Sequence, residues 1–273
     1  MLLMLLILIT TNLFLIYVGS KVFLPDDVPL SRQRAKRMAY KYKAYIFAII
    51  LVFFLNFLEN KIFQNIADYL AINSTSIIYS IEGSMVKFAQ SFVEPILTGY
   101  FFSFYVFVYM FIIIFSLIFY IYSDSLKEVK ATTLAFLLNY LIALPFFLFS
   151  PVYETWHVIN GVSPLIFSVS PIASDFIIGV NGINNCFPSL HTSLAITIAT
   201  IASFSDKTKW KIFAWFSAIS IILSTLYLGI HWISDIIAGI GLGIFSAYIG
   251  YKIDYNLDPI DHLLEKIIKK IRR

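Results

Sequence analysis

The stretch "CFPSLHTSLAITIATIASF", residues 186–204, begins with a proline, a serine and a histidine and continues from Leu194 to Ala202 with nothing more polar than threonine. A titratable ring therefore stands at the threshold of a segment suited to lipid. The rest of the chain has the same character. Of its 273 residues 59% are hydrophobic, 18% aromatic and only 13% charged, against about 25% charged in ordinary soluble domains. The composition excludes a soluble globular protein and defines an integral membrane one.

Seven apolar runs lie at about 1–20, 42–58, 97–122, 132–150, 188–205, 211–230 and 234–252. Each is near the length that crosses roughly 30 Å of hydrocarbon as a helix. The first run has neither a basic leader nor a small-residue cleavage site and is expected to be a retained span. With the N-terminus outside, 18 of the 20 lysines and arginines fall on one face, and only Lys61 and Lys87 fall on the other. The basic face is expected to be cytoplasmic. The expected fold is all-α and membrane-embedded. Residues 1–41 form an N-terminal span and a basic cytoplasmic loop, 42–252 a membrane domain, and 253–273 a basic amphipathic helix.

Outside the spans, "KIFQNIADYLA" (61–71) puts Ile62, Phe63, Ile66, Tyr69 and Leu70 on one helical face, as for a helix lying on the outer surface. Asn73-Ser74-Thr75 is a glycosylation acceptor pattern. The loop at about 151–187, with Pro164, Pro171, Gly179 and Gly182, is a candidate lid. The C-terminal "DPIDHLLEKIIKKIRR" aligns Ile260, Leu263, Leu264, Ile267 and Ile271 against a basic face suited to anionic lipid headgroups. His262 there is expected to be solvated. Cys186 is the lone cysteine, so no internal disulfide is possible. Gly239 and Gly243, four apart inside a span, indicate close helix packing.

Ionisable groups within spans are costly and tend to mark function. His191 lies at the start of the fifth run, and His231 and Asp235 at the junction of the sixth and seventh. In the topology above all three meet at the outer interface. His231 and Asp235, four apart, share one helical face. A carboxylate on one imidazole nitrogen fixes the tautomer and leaves the other nitrogen free to attack. His191 is then placed to protonate a leaving oxygen. Pro188 at the first helical position would leave the amides of Ser189, Leu190 and His191 unpaired, an arrangement that favours an anion. Together these groups point to phosphoryl transfer through a phosphohistidine.

The segments "CFPSLHTS" and "STLYLGIHWISDIIAG" resemble the second and third signature motifs of the type-2 phosphatidic acid phosphatase and vanadium haloperoxidase superfamily. Pro188, Ser189 and His191 match the one, and Ser224, His231 and Asp235 the other at full spacing. The resemblance implies a six-helix membrane core, to which the first span is extra. It implies His231 as nucleophile, Asp235 as its orienting partner and His191 as acid, with phosphate oxygens held near Ser189, Leu190, Ser224 and Thr225. Leu190 stands in place of a glycine and Thr225 in place of an arginine. The first, basic motif is missing, and no lysine or arginine occurs from 131 to 206. These departures resemble the inositolphosphotransferase (inositol phosphorylceramide synthase-like) branch. Where the first motif belongs the chain has "SPVYETW", so Tyr153, Glu154 and His157, with Tyr227, are candidate substrate contacts.

The expected function is hydrolysis or headgroup transfer on a lipid phosphate or diphosphate at the extracytoplasmic face. No cofactor, metal or nucleic acid is expected. Expected partners are a membrane lipid substrate and anionic headgroups at the cytoplasmic face. Two other classes use the same residues: a zinc hydrolase liganded by His191, His231 and Asp235, and a proton-coupled transporter.

Overall fold

The computed structural model describes residues 2–25, 31–58, 72–169 and 183–271. Helices dominate: α1 (Leu2–Phe23), α2 (Arg32–Lys41), α3 (Lys43–Leu58), α4 (Thr75–Glu82), α5 (Pro95–Tyr122, with a π-helical turn at Phe104–Val108), α6 (Leu126–Phe149), α7 (Leu190–Ser203), α8 (Thr208–Tyr227), α9 (Ile233–Lys252) and α10 (Asp258–Ile271). Among the described residues the β-type pairing is the isolated parallel bridge between Val152 and Asn185. The surface helix expected at 61–71 lies outside the described residues, as do Pro171, Gly179 and Gly182 of the expected lid.

All seven apolar runs are helical, but they are not equivalent. Five helices, α1, α5, α6, α8 and α9, are long and apolar enough to cross a membrane, and α2 with α3 makes a sixth candidate bent by 75°. The basic segment before residue 42 is thus a helix and not a loop. Ser31 caps it by accepting the Arg34 amide, and Met38 turns inward. The fifth run gives only 14 helical residues in α7, about 21 Å at 1.5 Å per residue, because the chain from 183 to 189 is held extended by other contacts. Ten of those 14 residues are buried, so α7 is the axis of the bundle.

Close backbone approach fixes α9 against α7. A Cβ on Gly239 would meet the Ser189 carbonyl at 2.7 Å, and one on Gly243 the Ser193 carbonyl at 2.5 Å, whereas Gly241 between them meets nothing within 4 Å. This is the small-residue packing expected from the sequence. The Thr197 hydroxyl, donating to the Gly243 carbonyl (3.1 Å), adds a polar contact at the same seam. The first helix is integrated too. Gly19 lies against Phe111 and Phe115, and Phe23 packs on Trp210 at 5.5 Å between ring centroids.

The two ends of the bundle differ in chemistry. At one end Lys41 pairs with Asp124, Lys130 with Asp254 and Lys43 with Asp261 of α10, which docks that helix beside the elbow between α2 and α3. His262 is exposed. At the other end the loops are joined by neutral hydrogen bonds and buried carboxyl groups, and the histidines lie there.

Candidate active site

Asp235 sits in the first turn of α9. Its Oδ2 accepts the Trp232 amide at 2.9 Å, which caps the helix, and faces His231 Nδ1 at 3.2 Å. An ionised carboxylate only accepts, so Nδ1 carries the proton and Nε2 holds a lone pair. Asp235 is fully buried and His231 is 4% exposed. Two amides, Ile230 and His231, donate to the Thr225 carbonyl at 3.0 and 3.2 Å and pin the turn. Gly229, with φ of 78°, makes the turn possible: a side chain there would be strained and would strike the Ser163 carbonyl.

His191 enters from α7. Its ring stacks on Tyr105 and lies against Tyr109, each at 4.2 Å between centroids, and stands 6.4 Å from the His231 ring. Both histidines border a cavity of about 550 Å³ that runs among α1, α3, α5, α6 and α7. Its wall is mostly apolar, including Leu8, Val52, Phe53, Met110 and Leu194, with Leu190, Cys186 and Glu154 near the histidines.

The extended chain before α7 is built by pairing: Val152 and Glu154 donate to the Asn184 and Ile183 carbonyls at 3.0 and 2.9 Å, and Cys186 to that of Val152 at 3.2 Å. Ser189, not Pro188, begins the helix. Ser189 is the N-cap, with its hydroxyl accepting the Thr192 amide. Its own amide donates to the Asp235 carbonyl at 3.1 Å. This corrects the expectation of three unpaired amides. The first helical residues are Leu190 and His191, whose N–H groups have no acceptor inside the helix.

The remaining expected contacts are placed elsewhere. The hydroxyls of Ser224 and Thr225 donate to carbonyls three residues back in α8, at 2.6 and 2.8 Å. The hydroxyl of Tyr227 accepts the Glu94 amide at 3.0 Å. Tyr153 stacks on His157 (5.4 Å) and accepts the Trp232 indole N–H through its carbonyl (2.8 Å). None of these five lines the cavity.

One participant has no sequence motif. Glu82, at the end of α4, accepts the amides of Ile233 and Ser234 at 2.8 and 2.6 Å and also the Ser234 hydroxyl. It closes the N-terminus of α9 from a helix about 150 residues away, where a negative charge suits the helix dipole. The donor cluster that comes together among the described residues is Cys186, His231 and Asp235, without His191. Burial pushes the Cys186 thiol up, opposing the thiolate a metal would take. Asp235 is already engaged by His231 and an amide. The cluster therefore reads as an oriented imidazole.

The fold and site together define a multi-pass helical bundle with two facing histidines, one of them oriented by a buried aspartate. Residues 163–258 match the family model described as PAP2 superfamily. All three of His191, His231 and Asp235 lie inside it. The crystal structure of Aquifex aeolicus LpxE shares the fold, with a TM-score of 0.50 at 22% identity over 62% of this chain and 93% of that one. No curated protein sequence matches the chain.

Proposed function

We propose that this protein is a membrane lipid phosphatase that works through a phosphohistidine at the extracytoplasmic face. The observation that carries the reading is the His231–Asp235 pair facing His191 across the mouth of an apolar cavity. The hydrocarbon chain of a lipid phosphate or diphosphate occupies the cavity and its phosphoryl group lies between the rings. Nε2 of His231 attacks phosphorus. A P–N bond forms, the P–O bond to the lipid breaks, and the lipid oxygen takes a proton from His191. Asp235 stabilises the positive charge that develops on His231. His191, now neutral, takes a proton from water as its oxygen attacks phosphorus and displaces His231. The products are inorganic phosphate and the lipid alcohol from a monophosphate, or the lipid monophosphate from a diphosphate.

A second reading is headgroup transfer, in which an alcohol replaces that water. The burial of His231 favours it, since a site that excludes water protects the intermediate. Purified protein is to be assayed on lipid phosphates and diphosphates, with inositol or glycerol added as acceptor, with and without orthovanadate. Phosphate release that vanadate inhibits and that His231→Ala abolishes is the expected result; a phospho-acceptor product marks transfer. Full activity in both His231→Ala and His191→Ala overturns the mechanism, and loss of activity to strong chelators favours a metal hydrolase.

A further inference from the structure

The mouth of the cavity has an electrostatic oddity. No lysine or arginine lines it among the described residues, and the sequence has none from 131 to 206. A carboxyl group, that of Glu154, 8% exposed, lines the same cavity as the two histidines and interacts electrostatically with His231. It cannot swing aside. The amides of Glu154, Thr155 and Trp156 donate to the carbonyls of Ile183, Ile230 and Gly229 at 2.9, 3.1 and 3.0 Å, the Thr155 hydroxyl also donates to the Gly229 carbonyl, and the Trp156 indole N–H holds the carboxyl itself. This segment is thus zipped onto the turn that carries His231. An ionised carboxylate fixed beside a bound phosphate repels it, whereas a carboxylic acid donates a hydrogen bond to it.

We propose that Glu154 binds the phosphoryl group as a neutral carboxylic acid, donating its proton to a non-bridging oxygen where a cation would otherwise stand. The proposal rests on the phosphoryl-transfer reading of the site. Burial supports it by pushing the Glu154 carboxyl up to about 7, against the opposing effects of the Trp156 hydrogen bond and the nearby His231 ring. A raised carboxyl holds its proton below that pH and loses it above, so phosphate binding through Glu154 is present on the acid side and lost as pH rises through about 7. Protonated carboxyl groups kept neutral by an apolar site are known donors of this kind. The other titratable groups facing the cavity mouth are His191, His231, Tyr105, Tyr109 and Cys186, with Asp235 behind His231. Their contributions are common to the variants below.

The test compares wild type, Glu154→Gln and Glu154→Ala for turnover of a lipid phosphate and for binding of inorganic phosphate by calorimetry, from pH 5.5 to about 8.5. Glutamine keeps a neutral donor but cannot titrate. At pH 6, Glu154→Ala is expected to lose roughly 10- to 100-fold in kcat/KM, as for a hydrogen bond to a charged group, and Glu154→Gln to restore most of that. Wild type is expected to lose phosphate affinity above pH 7 more steeply than Glu154→Gln, the ionisation of phosphate being common to both. A Glu154→Gln protein that keeps the wild-type melting temperature but is as impaired as Glu154→Ala at every pH overturns the proposal, because the site then needs the carboxylate, for instance to meet a cationic headgroup. Equal pH dependence in wild type and Glu154→Gln overturns it as well. Failure of the underlying reading appears separately, as phosphate release that persists in His231→Ala.

Discussion

Asp235 does two jobs with one oxygen. Its Oδ2 receives both the Trp232 amide, which starts α9, and the His231 ring, which it orients. Asparagine can put an oxygen in the same place but carries no negative charge to stabilise the imidazolium that forms on His231, and its N–H, if turned to the ring, favours the other tautomer. Asp235→Asn is expected to fold but to lose up to about 10⁴-fold in kcat, the loss seen when an orienting aspartate is replaced by asparagine beside a catalytic histidine. Single-turnover kinetics would check it, and an effect below about threefold would detach Asp235 from the chemistry. His231 and Asp235 are legible in the sequence because a spacing of four is a local, helical relation. Glu82 is not, since its partners at Ile233 and Ser234 are joined to it only by the tertiary fold. Ser224 and Thr225 show the converse. Motif spacing puts them near phosphate, yet a serine or threonine inside a helix readily spends its hydroxyl on a carbonyl one turn back, and both do so.

The site depends on how closely α7 and α9 approach, because one carries His191 and the other begins beside His231. The glycine seam sets that distance. A methyl group at 243 would meet a backbone carbonyl at 2.5 Å, which cannot yield as a flexible side chain can. Gly243→Ala is expected to cost about 1–3 kcal/mol and to lower kcat by separating the histidines. Gly241→Ala, with nothing within 4 Å, is expected to be neutral or to stabilise by up to about 1 kcal/mol from helix propensity. Melting temperatures of the pair in one detergent would decide the matter, and equal effects would sink the seam argument. The seam and the helical runs could be read from the sequence, since small residues four apart and apolar length are both local signals. The shortness of α7 and the helical nature of 32–41 could not. The former follows from pairing of 183–186 with 152–154, and the latter from a capped helix whose basic surface hides any apolar period.

The bundle as a whole separates ion pairs at one end from a cation-poor site at the other. If the lysine-rich end is cytoplasmic, as the positive-inside rule directs, cysteines introduced one at a time at Ile81 and Lys209, in addition to the buried Cys186, should differ in whole cells. An impermeant maleimide is expected to label the first, which is exposed at the site end, and to spare the second until the cells are lysed. The reverse pattern would invert the topology and put the chemistry on the cytoplasmic face. The cavity has a wider consequence. The atoms proposed for bond making and breaking, in His191, His231 and Asp235, all fall within 163–258, whereas Leu8, Val52, Phe53, Tyr105, Tyr109 and Glu154 of its wall come from earlier in the chain. On this reading reactivity and substrate choice are encoded in different halves of one polypeptide. Selection or design can retune which lipid is accepted at wall positions such as Leu8, Val52 and Phe53, and leave the groups that hold and react with the phosphoryl untouched.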